Sequence, residues 1–267
     1  MSATRYPLAA TLFISVLLSA CSPRNEVIQE AVTDTDAPVE THVFKEEVKT
    51  RQALTQVALG REKAELVIQN VTLLNVFTQE WLPAQDIVIA HNRIAWVGDT
   101  GTWPGETQNS YDANGLWAVP GFGESHKHIE SSYLTPEYEA ALVIPHGNTW
   151  TVEGSHEISN VVGNRNAEFW LEAERKGSAL KIFPAIGSAT PPTVYESGGG
   201  YYGYNEMRDF LTYDPRVVAL GEVMDWSAVI NADNGGHQRI WEMIEATYDY
   251  RGVVEGHGMN LTSQTDI

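Results

Sequence analysis

The spacing of apolar residues changes four times along the chain. Leu8 to Leu18 is an apolar run, and Ser22 to about Thr50 is polar and weakly patterned. "RQALTQVALGREKA" (51–64) places apolar residues at helical intervals and predicts a short helix. From Ala64 to Asp99 the pattern becomes β-like, rich in Val and Ile. Turn-forming residues interrupt it at Gln69-Asn70, Pro83-Ala84 and His91-Asn92-Arg93, which predicts a small antiparallel sheet. "LWAVPGF" (116–122) closes that sheet and opens a new strand. Beyond residue 120, strand-like runs at 148–155, 179–188, 216–225 and 252–259 alternate with helical patterns near 135–145, 165–176, 204–213 and 236–249. Such alternation predicts parallel βα units. With the strand "VPGFGESHKHI" there are five strands and about four helices, too few to close an eight-fold barrel. The expectation is a small open α/β sheet or the front part of a longer barrel. The implied segments are a leader at 1–21, a flexible linker at 22–50, a helix with a small sheet at 51–118, and a βα region at 119–267.

Charge narrows the partners. A formal net charge of -18 with no basic block argues against nucleic acid and anionic lipid surfaces. The first residues add a different relation to membranes. Arg5 precedes the apolar run, which is too short to span a bilayer and ends in "LSAC". This resembles a bacterial lipoprotein box, in which Cys21, the single cysteine of the chain, is lipidated. Ser22 after the cysteine favours the outer membrane in that pattern. The implied location is the bacterial cell envelope, lipid-anchored and facing the periplasm. An ordinary cleaved signal with an incidental cysteine is the alternative.

Candidate chemistry lies at the strand ends. His126 and His128 stand two apart on a strand, so both project from one face, as two ligands of one divalent ion must. "GEVMD" places Glu222 at the end of the fourth strand and "VEGHG" places His257 at the end of the fifth. "VEGSHE" puts Glu153, His156 and Glu157 at the end of the second, and Glu130 follows the histidine pair. In a parallel barrel these ends share one face. Each residue also has a structural reading. Glu222 could start a helix, His257 could bond within a Gly-rich turn, and His156 with Glu157 could cap the next helix. "SGGGYYGY" (197–204) lacks the Lys-Ser/Thr of a phosphate loop and is expected to be a mobile loop at the site mouth, its tyrosines able to stack on a planar substrate.

The wording "LVIQNVTLLNVFTQEW", "DIVIAHNRIAWVGD" and "VPGFGESHKHIESSYLTP" resembles the opening of the amidohydrolase superfamily. "HIESSYLTP", "PHGNTWTVEGSHEISNV" and "ALGEVMDW" resemble the adenine deaminase family within it. The resemblance runs from about Arg51 to the last residue. It implies a (β/α)8 barrel with a small β-sandwich, and two divalent ions (Mn, Fe or Zn). His126, His128 and His257 would be ligands, and Glu222 would be both the bridging ligand and the catalytic carboxylate. Glu130, Glu153, His156 and Glu157 would lie behind the ligands or at the mouth. The implied reaction is hydrolysis of adenine to hypoxanthine and ammonia, with a small molecule as partner and oligomerisation left open. Deaminase chemistry on cysteine-held zinc is excluded, since it needs a Pro-Cys-x-x-Cys pattern. Some residues depart from the family's wording. Gly123, Glu124 and Ser125 replace a larger apolar residue, Asp and Ala; Gly154-Ser155 replaces Asp-Pro; and Trp150 replaces Thr. These changes leave open another cyclic amidine or amide as substrate, or a lipid-anchored binding protein without catalysis. The family's sixth-strand histidine and eighth-strand aspartate have no counterpart before Ile267, so the chain is expected to be partial, and inactive and poorly stable alone.

Overall fold

A computed structural model describes residues 44–193, 195–224, 229 and 235–258. The leader, Cys21 and most of the expected linker therefore lie outside the described residues. The chain divides into two compact units, 1–52 and 53–267. Helix α1 (Glu46–Ala58) begins inside the expected linker and ends before Ala64, a shift from the predicted 51–64. Glu46 and Glu47 start it, as suits the positive end of a helix dipole, and pair with Lys49 and Arg51 one turn on.

In the second unit the first sheet contains β1 (Ala64–Asn75), β2 (Glu80–Ala90), β3 (Arg93–Asp99), β4 (Thr107–Asp112) and the short β5 (Trp117–Ala118). Its order is β3-β2-β1-β4, with β5 also on β1. The first three strands are antiparallel, but β4 and β5 run parallel to β1, so the expected antiparallel sheet is mixed. Two expected breaks are irregularities inside continuous strands. Asn70 and Ala84 take positive φ of 58° and 52°, and the β1–β2 register slips at this point. The real β1–β2 turn lies at 76–79, where the Asn75 side chain accepts the N–H groups of Phe77 and Thr78. His91-Asn92 does form a tight turn, with both residues at positive φ. Val57 of α1 packs with Ala64, Val67, Val88 and Ala90 beneath this sheet.

The second sheet holds β6 (Phe122–Lys127), β7 (Asn148–Glu153), β8 (Lys181–Ile186), β9 (Ala219–Val223) and β10 (Val253–Gly256). All its pairs are parallel, and their spatial order follows the chain without reversal. A sheet wound one way by right-handed crossovers carries its helices on one face and curls toward the other. This is an α/β fold whose curled parallel sheet is that of a partial TIM-like barrel. Helices α2 (Pro136–Val143), α4 (Asn166–Arg175), α5 (Tyr204–Tyr213) and α6 (Gly235–Asp249) stand close to their predicted positions. α3 (His156–Val162) was not predicted; it follows directly on β7. The helix-side core joins Leu171, Met207, Phe210, Ile240 and Met243 to Ile186, Leu220 and Val223 of the strands. A second cluster joins Ile129, Trp170, Leu180 and Ile182. Alternation sends Lys181 and Phe183 to the opposite face, where with Trp150, Val152 and Val218 they line an open cavity of about 490 Å³.

Gly123 and Trp150 are cross-strand partners on β6 and β7. A Cβ built at residue 123 would fall 1.8 Å from the Trp150 indole. The two departures noted in the sequence are therefore one exchange of volume: the small residue on β6 admits the large one on β7.

Candidate metal centre

The ends of four parallel strands bring imidazoles around one buried carboxylate. β6 ends at Lys127, whose ammonium turns away to Glu139 of α2 at 2.7 Å. Its neighbours His126 and His128 face the other way, with their Nε2 atoms 3.0 Å apart. Gly154, at the end of β7, makes room for both rings, because a Cβ there would meet each Cε1 at 3.0 Å. Glu222 on β9 is 2% exposed. Its Oε2 faces His126 Nε2 at 3.2 Å and touches His257 Nε2. Its Oε1 faces His156 Nδ1 at 3.3 Å and His128 Nε2 at 3.6 Å. The Ser188 hydroxyl donates to the Glu222 carbonyl at 2.7 Å.

Protonation makes this arrangement selective for a cation. His126 Nδ1 lies 3.0 and 3.1 Å from the two oxygens of Glu255, and His128 Nδ1 lies 3.1 Å from Glu157. A carboxylate at Nδ1 favours the Nδ1–H tautomer, in which the Nε2 lone pair turns inward. Two lone pairs 3.0 Å apart beside a carboxylate repel unless a cation lies between them. Nitrogens about 2.1 Å from one ion and this far apart subtend ~90°, an ordinary ligand angle. Glu222 Oε2 is buried and makes no hydrogen bond, although two imidazoles approach it. The donor set of imidazole nitrogens and carboxylate oxygens therefore fits divalent cations. His126, His128 and Glu222 lie close enough to share one ion, as do His128, His156 and Glu157.

The remaining candidates form a layer behind these groups. Burial tends to raise the Glu157 carboxyl, but the Ser131 hydroxyl, its own backbone N–H, His156 and His128 outweigh it and hold the group below its ordinary value. Glu153 is fully buried and accepts the Ile129 N–H. Burial first, then its hydrogen bond with Glu130 and the Glu130 charge, push its carboxyl up to about 11, so it keeps its proton. Glu130, Glu153 and His128 form a further close group. His257 is the most open of the site's histidines, its side chain 48% exposed.

The Gly-rich segment packs against the end of α3 and the turn that follows it. Gly199 donates to the Asn160 carbonyl at 2.7 Å, and a Cβ at Gly199 would meet the 161–163 backbone at 2.8 Å, so these glycines serve close backbone approach. Tyr202 is buried and donates to the Gly163 carbonyl, while Tyr204 donates to Asp249. These two hydroxyls are engaged, while Tyr201 is 60% exposed with the Arg239 guanidinium 5.3 Å from its ring centroid. The buried Arg239 guanidinium donates to the carbonyls of Ser188, Thr190, Pro191 and Tyr202, tying this segment to α6. Sequence reasoning passed over Glu255, Ser188 and Arg239. Glu255 carried a usable signal, since it stands two residues before His257 and shares its strand face.

A curled parallel sheet whose strand ends gather imidazoles around a shared carboxylate is an arrangement that fits divalent cations. No family model matches the chain. Curated relatives do. The chain is 56% identical over 222 residues to an adenine deaminase 2 of Bradyrhizobium diazoefficiens, covering 83% of this chain and 36% of that protein. It is 51% identical over 238 residues to an adenine deaminase 2 of Jannaschia sp., covering 88% of this chain and 38% of that one. Among solved structures, a crystal structure of an adenine deaminase aligns with a TM-score of 0.47 and 14% identity, over 73% of this chain and 50% of that one. Through its matched residues the chain is a relative of the adenine deaminases, and it spans about a third of the length of these two curated relatives.

Proposed function

We propose that this protein is a metal-dependent hydrolase that deaminates adenine to hypoxanthine and ammonia. The observation that carries the reading is the convergence of His126 Nε2 and His128 Nε2, 3.0 Å apart, on the oxygens of Glu222. Two divalent cations (Mn, Fe or Zn) are the cofactors it calls for. His126 and His128 would hold one, His257 another, and Glu222 would share its oxygens between them; His156 faces the same carboxylate. Cations in such a site supply an acidified water and an electrophile at neutral pH. The chain's own part is to orient His126 and His128 through carboxylates at their Nδ1 atoms and to hold Glu222 among the imidazoles. Purine metabolism is the corresponding role. The lipoprotein-like leader supports attachment at Cys21 to the cell envelope.

The test is ammonia release and loss of adenine absorbance by the purified protein loaded in turn with Mn²⁺, Fe²⁺ and Zn²⁺. Metal uptake is expected; adenine turnover in at least one form would support the substrate assignment and would overturn the expectation that the chain is inactive alone. Turnover confined to other cyclic amidines or amides would move the substrate assignment. Stoichiometric metal with no turnover of any of them would favour a binding protein on this scaffold. For the anchor, labelled fatty acid should enter the wild-type chain and not Cys21→Ser.

A further inference from the structure

Glu255 is not among the groups placed to share an ion with His126 and His128. It lies on β10, and both its oxygens close on one atom, His126 Nδ1, at 3.0 and 3.1 Å. The fold makes space for this contact. A Cβ at Gly221 on the neighbouring strand would fall 2.0 Å from Glu255 Oε1, so the missing side chain there is a notch the carboxylate occupies. With its side chain 28% exposed, the pair is screened from solvent without being sealed off. The corresponding carboxylate on His128 is Glu157, which also accepts from Ser131 and lies 3.4 Å from His156. Among the described residues, Glu255 makes side-chain polar contact with His126 alone.

We infer that Glu255 is the positioning residue for His126: it fixes the Nδ1–H tautomer and the ring angle, and thereby the affinity of the cation site. β10 then serves the centre twice, with Glu255 orienting a ligand of β6 and His257 contributing to the centre itself. An orienting carboxylate of this kind typically changes metal affinity 10–100-fold. The assignment rests on the metal-centre reading above.

Glu255→Gln and Glu255→Ala in the full chain test it by two routes. The first needs no metal. ¹⁵N chemical shifts of the His126 ring in the metal-free protein should report an Nδ1–H tautomer in the wild type. In Glu255→Ala they should report a mixture richer in Nε2–H, while His128 stays unchanged. The second titrates Co²⁺ against a competing chelator. Affinity should fall about 10–100-fold in Glu255→Ala and less in Glu255→Gln, whose amide oxygen still accepts the Nδ1 proton. The Co²⁺ ligand-field bands should shift with it, at an unchanged melting temperature of the metal-free protein. Identical His126 shifts in wild type and Glu255→Ala would overturn the assignment, as would equal affinity with an identical spectrum. If the wild type took up no cation while its His126 tautomer still depended on Glu255, the metal-centre reading would fail and the positioning contact would stand. Glu255→Gln, close to isosteric, carries both measurements should the alanine variant misfold.

Discussion

The mixed sheet and the parallel sheet each bury an acid, Asp86 at 3% exposure and Glu222 at 2%, and surround it differently. Asp86 accepts the Asn70 N–H through one oxygen and the Gly101 N–H through the other, both at 2.9 Å. It staples the β1 irregularity to the turn after β3, and its charge is spent on local backbone donors. Among the described residues, Glu222 has no backbone donor on its carboxylate. It meets imidazoles of His126, His128, His156 and His257 instead, and one oxygen is left without a hydrogen bond. A buried carboxylate satisfied by the backbone is holding a turn. One that meets imidazoles from several strand ends fits a cation-binding role.

The largest effect separates these two acids directly. Glu222→Gln should weaken divalent-metal binding more than 100-fold, read by chelator competition, and abolish any deamination. The metal-free protein should melt no lower, because the substitution removes a buried carboxylate oxygen that makes no hydrogen bond. Asp86→Asn should leave metal affinity unchanged. A Glu222→Gln protein that still bound metal like the wild type would end the distinction between the two acids.

Next comes the volume exchange on the inner face of the parallel sheet. Gly123→Ile alone should cost about 3 kcal/mol through collision with Trp150. Trp150→Thr alone should cost about 2 kcal/mol by emptying half-buried space. The double variant should recover ~1–3 kcal/mol relative to their sum in urea denaturation. Strict additivity would show that the two positions are not coupled, and would leave both as changes that bear on substrate choice.

On the other sheet, Asp86→Ala should cost about 2 kcal/mol, because two N–H groups lose their acceptor in a buried place. Metal binding should stay intact. A loss of metal in this variant would mean that the mixed sheet reaches the centre, and the two acids would no longer differ in kind.

The parallel sheet was the more legible of the two. Its strands are bounded by helices of a different period, so the change from two to 3.6 marks each boundary. Residues at strand ends, His126, His128, Glu222 and His257, could then be placed on a common face. In the mixed sheet the period never changes, and turn-forming residues were the only punctuation. Asn70 and Pro83-Ala84 looked like breaks but are absorbed as bulges, because Asp86 and the neighbouring strands supply what a turn would have supplied. The real turn at 76–79 carries no Gly or Pro and depends on the Asn75 side chain. α3 was missed because His156, Glu157 and Ser159 look like site or loop residues; Ser159 is held by a hydrogen bond to the Ser155 carbonyl. Glu255 and Arg239 act through partners far away in sequence, which local pattern cannot show.

The smallest effect tests the same logic on an acid whose donor is a side chain. Asp214 is held below its ordinary value chiefly by hydrogen bonds from Arg216, which also lies beside Glu174. The Arg216 guanidinium meets both Asp214 oxygens at 3.1 Å, and its N–H meets one of them at 2.9 Å. The folded protein therefore holds this acid's proton less tightly than the unfolded chain does. Its contribution is fully present above the ordinary aspartate value and is lost as pH falls through the lower folded value. Solvent reaches the pair, so the gain should be no more than about 1 kcal/mol. Asp214→Asn should melt slightly below the wild type from pH 5 to 8, with the gap closing below about pH 4. A gap that persisted in acid would mean that Asp214, like Asp86, works through backbone geometry more than through charge. The contrast between locally satisfied acids and Glu222 would then be sharper still.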